Sequence, residues 1–182
     1  MTINEENCYL RAFEPDDYKI VHKWRNNPEF SALTTENVDF VSSEKEKQWV
    51  NEKIFNDKTE NYWAICDKET NEMIGFTSIT KIDFRNKNAW MGEMAISKEY
   101  LNKGYELLAN AGVLDFVFNE LGLNRIYTGY IVENEFAKEI YAEMGFSIEG
   151  VTREDIYKGG KYHDVVIVSL LENEYRNLKL KN

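Results

Sequence analysis

The sequence predicts a mixed α/β domain of the α+β class, and three observations carry the prediction. Alternating or apolar runs that read as strands are interleaved with helical periodicity in the order β-α-α-β-β-β-α-β-α-β-β. The 182 residues suffice for one full core and fall short of two. A hydrophobic content of 43% with 14% aromatics excludes a disordered chain, and two prolines exclude a Pro-rich linker protein. We expect one domain over 1–175 and a polar tail over 176–182.

Taken in order, Cys8–Phe13 alternates and reads as a strand. Pro15 near a first turn with Asp16 and Asp17 starts a helix, Ile20, Val21 and Trp24 give its apolar stripe, and Asn26-Asn27-Pro28 ends it. Phe30–Phe40 reads as a loop. Ser43 and Glu46 have the spacing of a capping box that opens a helix through Phe55, with Trp49, Val50 and Ile54 inward. Tyr62–Cys66, Met73–Ile82 and Ala89–Ile96 are strand-like, joined by polar turns at Asp67–Asn71 and Asp83–Asn88. From Gly104 to Leu121, the positions Leu107, Ala111, Leu114, Phe118 and Leu121 mark one helical face, and Gly122 stops it. Arg125–Val132 is a strand, Glu135–Met144 a helix stopped by Gly145, and Phe146–Gly150 and Tyr162–Leu171 are strands around Lys158–Lys161. The chain after Glu172 is expected to fray.

Lys and Arg number 22 against 32 Asp and Glu, a net charge of −10. That argues against a nucleic-acid partner, which needs a basic face, and leaves room for an anionic small ligand in a local pocket. Cys8 and Cys66 lie far apart and read as core thiols, with no metal spacing and no disulfide framework. The first ten residues have no basic or apolar leader segment, and no run approaches the roughly 18 apolar residues of a membrane span. A cytoplasmic protein, monomer or homodimer, is expected.

The passage from Ala89 to Leu121 runs from a strand through a glycine loop into a long helix. Unsatisfied N–H groups at such a helix start suit a phosphate. The loop, Lys98 to Glu106, is neither GxGxxG nor GxxxxGK[ST], so neither a dinucleotide nor a nucleoside triphosphate is indicated.

Several pieces in order resemble the GNAT superfamily of acetyl-CoA-dependent N-acetyltransferases. They are Ile74-Gly75 with Ser78-Ile79-Thr80, Met94–Ser97, Leu121–Ile126, Glu133-Asn134-Glu135 with Ala137, Ile140-Tyr141, Gly145-Phe146, Glu149–Arg153 and Gly160–Asp164. Trp24–Pro28 extends the likeness toward the N-terminus. The branch it resembles contains ribosomal-protein alanine, spermidine and amino-sugar N-acetyltransferases. The resemblance implies a splayed mixed sheet flanked by about four helices, acetyl-CoA as co-substrate, no metal, and a small-molecule amine as acceptor. The family's phosphate loop reads [Gln/Arg]-x-x-Gly-x-[Gly/Ala]; here Leu101 replaces the polar residue and Glu106 sets a carboxylate where the pyrophosphate is expected, which weakens binding unless it turns away. The Leu-x-x-Gly-x-Glu loop, Ser78–Phe84 and Arg25–Pro28 are similar to the amino-sugar N-acetyltransferase of the pseudaminic-acid pathway, which favours a nucleotide-linked 4-amino-sugar. The alternatives are a polyamine, the N-terminal alanine of a protein, or a non-catalytic acyl-CoA-binding module.

What the resemblance implies for residues is direct transfer from the thioester to an amine. Tyr141 matches the family's tyrosine and is the expected acid for the leaving thiolate; it also reads as a core aromatic beside Phe136, Ile140 and Met144. Backbone groups of Met94, Ala95 and Ile96 are expected to pair with the pantetheine arm and the oxyanion. Asn102, Lys103, Gly104, Tyr105 and Glu106 are expected around the phosphates. Asn134 matches the family's cofactor-contacting asparagine and also reads as a helix N-cap. Glu93 and Ser78 are alternative bases, beside a water chain with no dedicated base. Trp24, Arg25 and Asn26 are expected at the acceptor, with Arg25 as a phosphate clamp or a helix-end arginine. Tyr127 and Tyr130 fall on opposite strand faces, so one at most lines the acceptor pocket, and Tyr130 is taken as that one. His22 and His163 form no triad.

Overall fold

Period-two burial decides the sheet. In β3 (Asn61–Asp67), Ile65 packs into one apolar cluster while Ala64 and Cys66 enter another on the opposite face. In β4 (Met73–Asp83), Phe76 and Ile79, three apart, divide in the same way. The strands are therefore covered on both faces. The computed structural model describes residues 2–27, 40–55 and 59–180. Among these, β1 (Ile3–Asn4), β2 (Cys8–Ala12), β3, β4, β5 (Asn88–Ile96), β6 (Arg125–Ile131), β7 (Ser147–Lys158) and β8 (Lys161–Leu171) form one sheet in the order β1-β2-β3-β4-β5-β6-β8-β7. All neighbours are antiparallel except β5 and β6.

One face carries α1 (Tyr18–Arg25) and α2 (Ser43–Phe55), with Val21, Trp24 and Val50 packed on Phe13, Phe76 and Ala95. Between β2 and α1, the Arg11 guanidinium donates to both oxygens of Asp17 at 2.7 and 2.9 Å, which locks the corner. The inward residues expected on α2 pack there, but the capping box does not form as read. Ser42 Oγ accepts from Lys45 N–H at 3.2 Å, and Glu46 is buried instead of reaching back. The Phe30–Phe40 loop, Phe40 aside, and Pro28 lie outside the described residues.

The other face carries α3 (Tyr105–Asp115), α4 (Glu135–Glu143) and α5 (Glu172–Lys179). The buried face of α3 is Ala109, Val113 and Leu114, continued by Val117 and Phe118; Leu107 and Ala111, expected inward, are half-buried. The helix also ends sooner than periodicity predicts, passing into a π-helical turn over Phe116–Glu120 before Gly122 at φ +63°. The segment after Glu172 does not fray. Tyr175 is buried, and its hydroxyl donates to Asp115 at 2.7 Å while Lys179 Nζ donates to the same carboxylate at 2.6 Å. β7 continues past Gly150, where sequence reading stops it, to Lys158, because Gly150 sits at a shift of register against β8. Among the described residues five helices flank the sheet, where about four were expected.

Candidate active site

The cleft exists because β5 and β6 part company. Their parallel pairing covers only Asn88–Trp90 against Arg125–Tyr127. Beyond it, β5 carries a bulge: Gly92 and Glu93 stand opposite the single residue Ser78 of β4. Thr128 makes the last tie across the opening, its hydroxyl donating to Met91 O at 2.9 Å. Ser97 N–H donates to Ile74 O at 2.7 Å, and this sets the alternation on the β4 side. Ala95 then turns its N–H and C=O toward β4, while Met94 and Ile96 turn theirs into the gap. Met94 and Ile96 line the cleft as expected; the backbone and side chain of Ala95 do not, since its methyl packs beside Phe76 and Trp24.

The loop before α3 closes one end. Gly104 caps the helix at φ +84°, a left-handed conformation suited to glycine, and no atom stands within 4 Å of where a Cβ would lie. Its backbone is open to a ligand, next to the unsatisfied N–H groups of the first turn. Asn102 and Lys103 are exposed there, with the Lys103 ammonium 5.4 Å from the Tyr100 ring centroid. The side chain of Tyr105 points elsewhere. Its hydroxyl donates to Asp67 Oδ2 at 2.6 Å, which, with burial, pushes the phenol up to about 12 and holds Asp67 below the usual carboxylate range. Glu106 is buried at the cleft wall and accepts from Asn102 N–H at 3.3 Å, so its carboxylate is partly spent on the loop.

Facing the loop across the cleft, Tyr141 stacks on Tyr130, ring centroids 6.0 Å apart, and both line the cavity. Burial pushes the Tyr141 phenol up, against the pull of a hydrogen bond with Thr128. Glu93 lines the same cleft, with Oε2 3.4 Å from the Arg25 guanidinium. Asn134 caps α4, its Oδ1 accepting from Ala137 N–H at 3.0 Å, and its side chain also borders the cleft.

A family model described as an acetyltransferase (GNAT) domain matches residues 7–147. The chain belongs to the GNAT acetyltransferase family. A spermidine N(1)-acetyltransferase of Vibrio cholerae is 29% identical over 168 residues, covering 92% of this chain and 95% of the relative. A putative ribosomal N-acetyltransferase of Bacillus subtilis is 34% identical over 107 residues, 59% of this chain and 58% of the relative. The crystal structure of the spermidine N-acetyltransferase from Vibrio cholerae with CoA and spermine superposes with a TM-score of 0.87 at 28% identity, covering 94% of this chain and 99% of that one. This GNAT protein is an acetyl-CoA-dependent N-acetyltransferase, and the non-catalytic alternative falls away. Nothing in these relatives supports the nucleotide-linked amino-sugar acceptor.

The acetyltransferase's residues fit acetyl-CoA on three counts: the turned-out backbone of Met94 and Ile96, the open Gly104, and Asn110. The last was missed by sequence reading. It is buried on the cleft wall, and its Oδ1 has no hydrogen-bond partner among the described residues. Glu106 and Asn110, four apart on the buried face of an apolar helix, were the available signal. Other expected residues are not brought into the site. Trp24 is core, stacked on Phe76 at 6.0 Å. Asn26 spends its amide on His22 O and Val41 O at 2.9 Å each. Ser78 is fully buried beneath the bulge, its hydroxyl facing Glu93 O at 3.4 Å. Arg25 is no open clamp: it lies on the Trp49 ring, 3.9 Å from the centroid, between Glu46 and Glu93. His163 pairs with Glu133 at 3.2 Å, away from the cleft. Among the described residues no helix is long and apolar enough to cross a membrane.

Proposed function

We propose that the acceptor is a polyamine, and that the enzyme acetylates one of its primary amines by direct attack on the thioester. The observation that carries this is the lining of the cleft. It holds the carboxylates of Glu93 and Glu106 and no lysine or arginine among the described residues. Of these, Glu106 stands at the cofactor end and Glu93 faces the acceptor; the Glu93 carboxylate attracts an ammonium, and the net charge of −10 steers in the same sense. The spermidine acetyltransferases among the relatives support the same class.

In this reading the Met94 and Ile96 backbone and the Gly104 loop hold the cofactor, which supplies the activated acetyl group. A turned-out N–H of Met94 or Ile96 meets the developing oxyanion, where each good donor is worth roughly 3–4 kcal/mol. Glu93 takes the proton of the arriving ammonium, directly or through water, so that the neutral amine attacks. Tyr141, a phenol protonated at neutral pH whose burial raises its pKa further, donates to the leaving thiolate and is reprotonated by the proton that the acetylated nitrogen sheds.

Purified protein with acetyl-CoA and a panel of spermidine, spermine, a nucleotide 4-amino-sugar and an alanine-terminated peptide, read by thiol release, tests this. Turnover of the polyamines above the other acceptors is expected. A preference for the sugar nucleotide or the peptide overturns it.

A further inference from the structure

Glu46 is the charged group whose burial nothing above explains. Its carboxylate is fully enclosed within α2, and neither oxygen has a hydrogen-bond partner among the described residues. Its Oε1 lies 3.5 Å from Arg25 Nε, which also makes no hydrogen bond among the described residues. A buried ion pair without hydrogen bonds is a poor source of stability, because desolvation offsets the attraction. Its geometric effect is definite. The guanidinium has its face on Trp49, its Nε toward Glu46 and its Nη2 3.4 Å from Glu93 Oε2 in the cleft. Three contacts leave a planar fork little freedom.

Charge completes the argument. With Glu93 alone, Arg25 neutralises the one carboxylate that faces the arriving amine. With Glu46 behind it, the trio keeps one net negative charge, and the member that lines the cleft is Glu93. Burial pushes the Glu46 carboxyl up, and Arg25, His22 and Lys45 pull it back toward the charged form.

We infer that Glu46 is a positioning residue. Acting through Arg25, it keeps Glu93 fixed and net negative as the wall that receives the acceptor ammonium. This rests on the acceptor reading above, and its test is built so that the two fail separately.

The test is a double-mutant cycle of Glu46→Gln and Glu93→Gln, with KM for the amine, KM for acetyl-CoA, kcat and thermal midpoint measured for all four proteins. The amine is spermidine. If the wild-type enzyme does not turn spermidine over, the polyamine reading fails by itself, and the cycle runs on whichever panel amine is acetylated. Glu46→Gln is expected to raise the amine KM about tenfold in the wild-type background and less than about twofold beside Glu93→Gln, with the KM for acetyl-CoA held within about twofold. An equal factor in both backgrounds makes Glu46 a structural residue only and overturns the inference, as does an unchanged amine KM. Should Glu46→Gln not fold, Arg25→Lys takes its place in the cycle. Lysine keeps the charge but cannot bridge as a fork, and the same non-additivity is expected; additivity there overturns the inference too.

Discussion

Replacing Gly92 with alanine tests whether the bulge in β5 is what opens the acetyl-CoA cleft. Gly92 is not at positive φ, so the penalty is steric. The added Cβ meets Ser78 Oγ at 2.3 Å and Thr80 Cγ2 at 3.4 Å. The first contact is about 1 Å or more inside the optimum separation of heavy atoms. Ser78 is fully buried, so it has no solvent to turn into, and the strand must give way. Overpacking of this kind costs about 1–3 kcal/mol, or roughly 2–12 °C in Tm at this chain length. A displaced bulge also moves Glu93 and the Met94 N–H, so kcat/KM is expected to fall further than stability. The assay is thermal unfolding with steady-state kinetics on Gly92→Ala, Ser78→Ala and the pair. Ser78→Ala removes the oxygen and leaves its own Cβ 3.5 Å from the new methyl, an ordinary contact. It sacrifices only a long 3.4 Å hydrogen bond to Glu93 O, worth about 0.5–1 kcal/mol. The double variant is expected to regain more than half of the lost Tm. A neutral Gly92→Ala, or Ser78→Ala that adds its cost without rescue, refutes the steric argument.

Tyr141→Phe is expected to lower kcat about 100-fold or more with acetyl-CoA affinity little changed, since a positioned acid contributes on that scale; an unchanged kcat across pH removes Tyr141 from the chemistry. Glu106→Gln keeps an acceptor for Asn102 N–H and removes the like charge, so acetyl-CoA binding tightens by about 1 kcal/mol, roughly fivefold in Kd by titration calorimetry; weaker binding contradicts the repulsion. Tyr105→Phe deletes the bond to Asp67, a hydrogen bond to a charged acceptor worth about 1.5–3 kcal/mol. Asp67 is held below its ordinary value in the folded state, so this stability is present above the unfolded pKa and lost as pH falls through the folded one. The Tm gap between wild type and Tyr105→Phe is therefore expected to be full near neutral pH and to close below pH 3.8. A gap that widens in acid reverses the sign and refutes the linkage.

The order of strands and helices and the cofactor loop were legible in the sequence because period-two and period-3.6 burial, the helix start at Gly104 and the glycine stops at Gly122 and Gly145 act locally. The family followed from motif pieces in sequence order. Local signals misled where distant side chains intervened. Glu46 has the spacing of a capping box, yet Arg25 from another helix draws it inside. The polar tail has almost no apolar stripe, yet Asp115, sixty residues earlier, binds Tyr175 and makes it a docked helix. Trp24 and Asn26 sit in a motif that looks functional, and packing on Phe76 and bonding to Val41 commit them elsewhere. Sequence alone determined most of the elements and the loop, because each depends on neighbours in the chain, and the resemblance to a family supplied the class of reaction. Which side chains meet in the cleft was decided only in three dimensions. The splay of β5 from β6, the direction of each backbone group along it and the partners of each buried charge depend on residues far apart in sequence, and on the desolvation that forces every enclosed polar group to answer to whatever stands beside it.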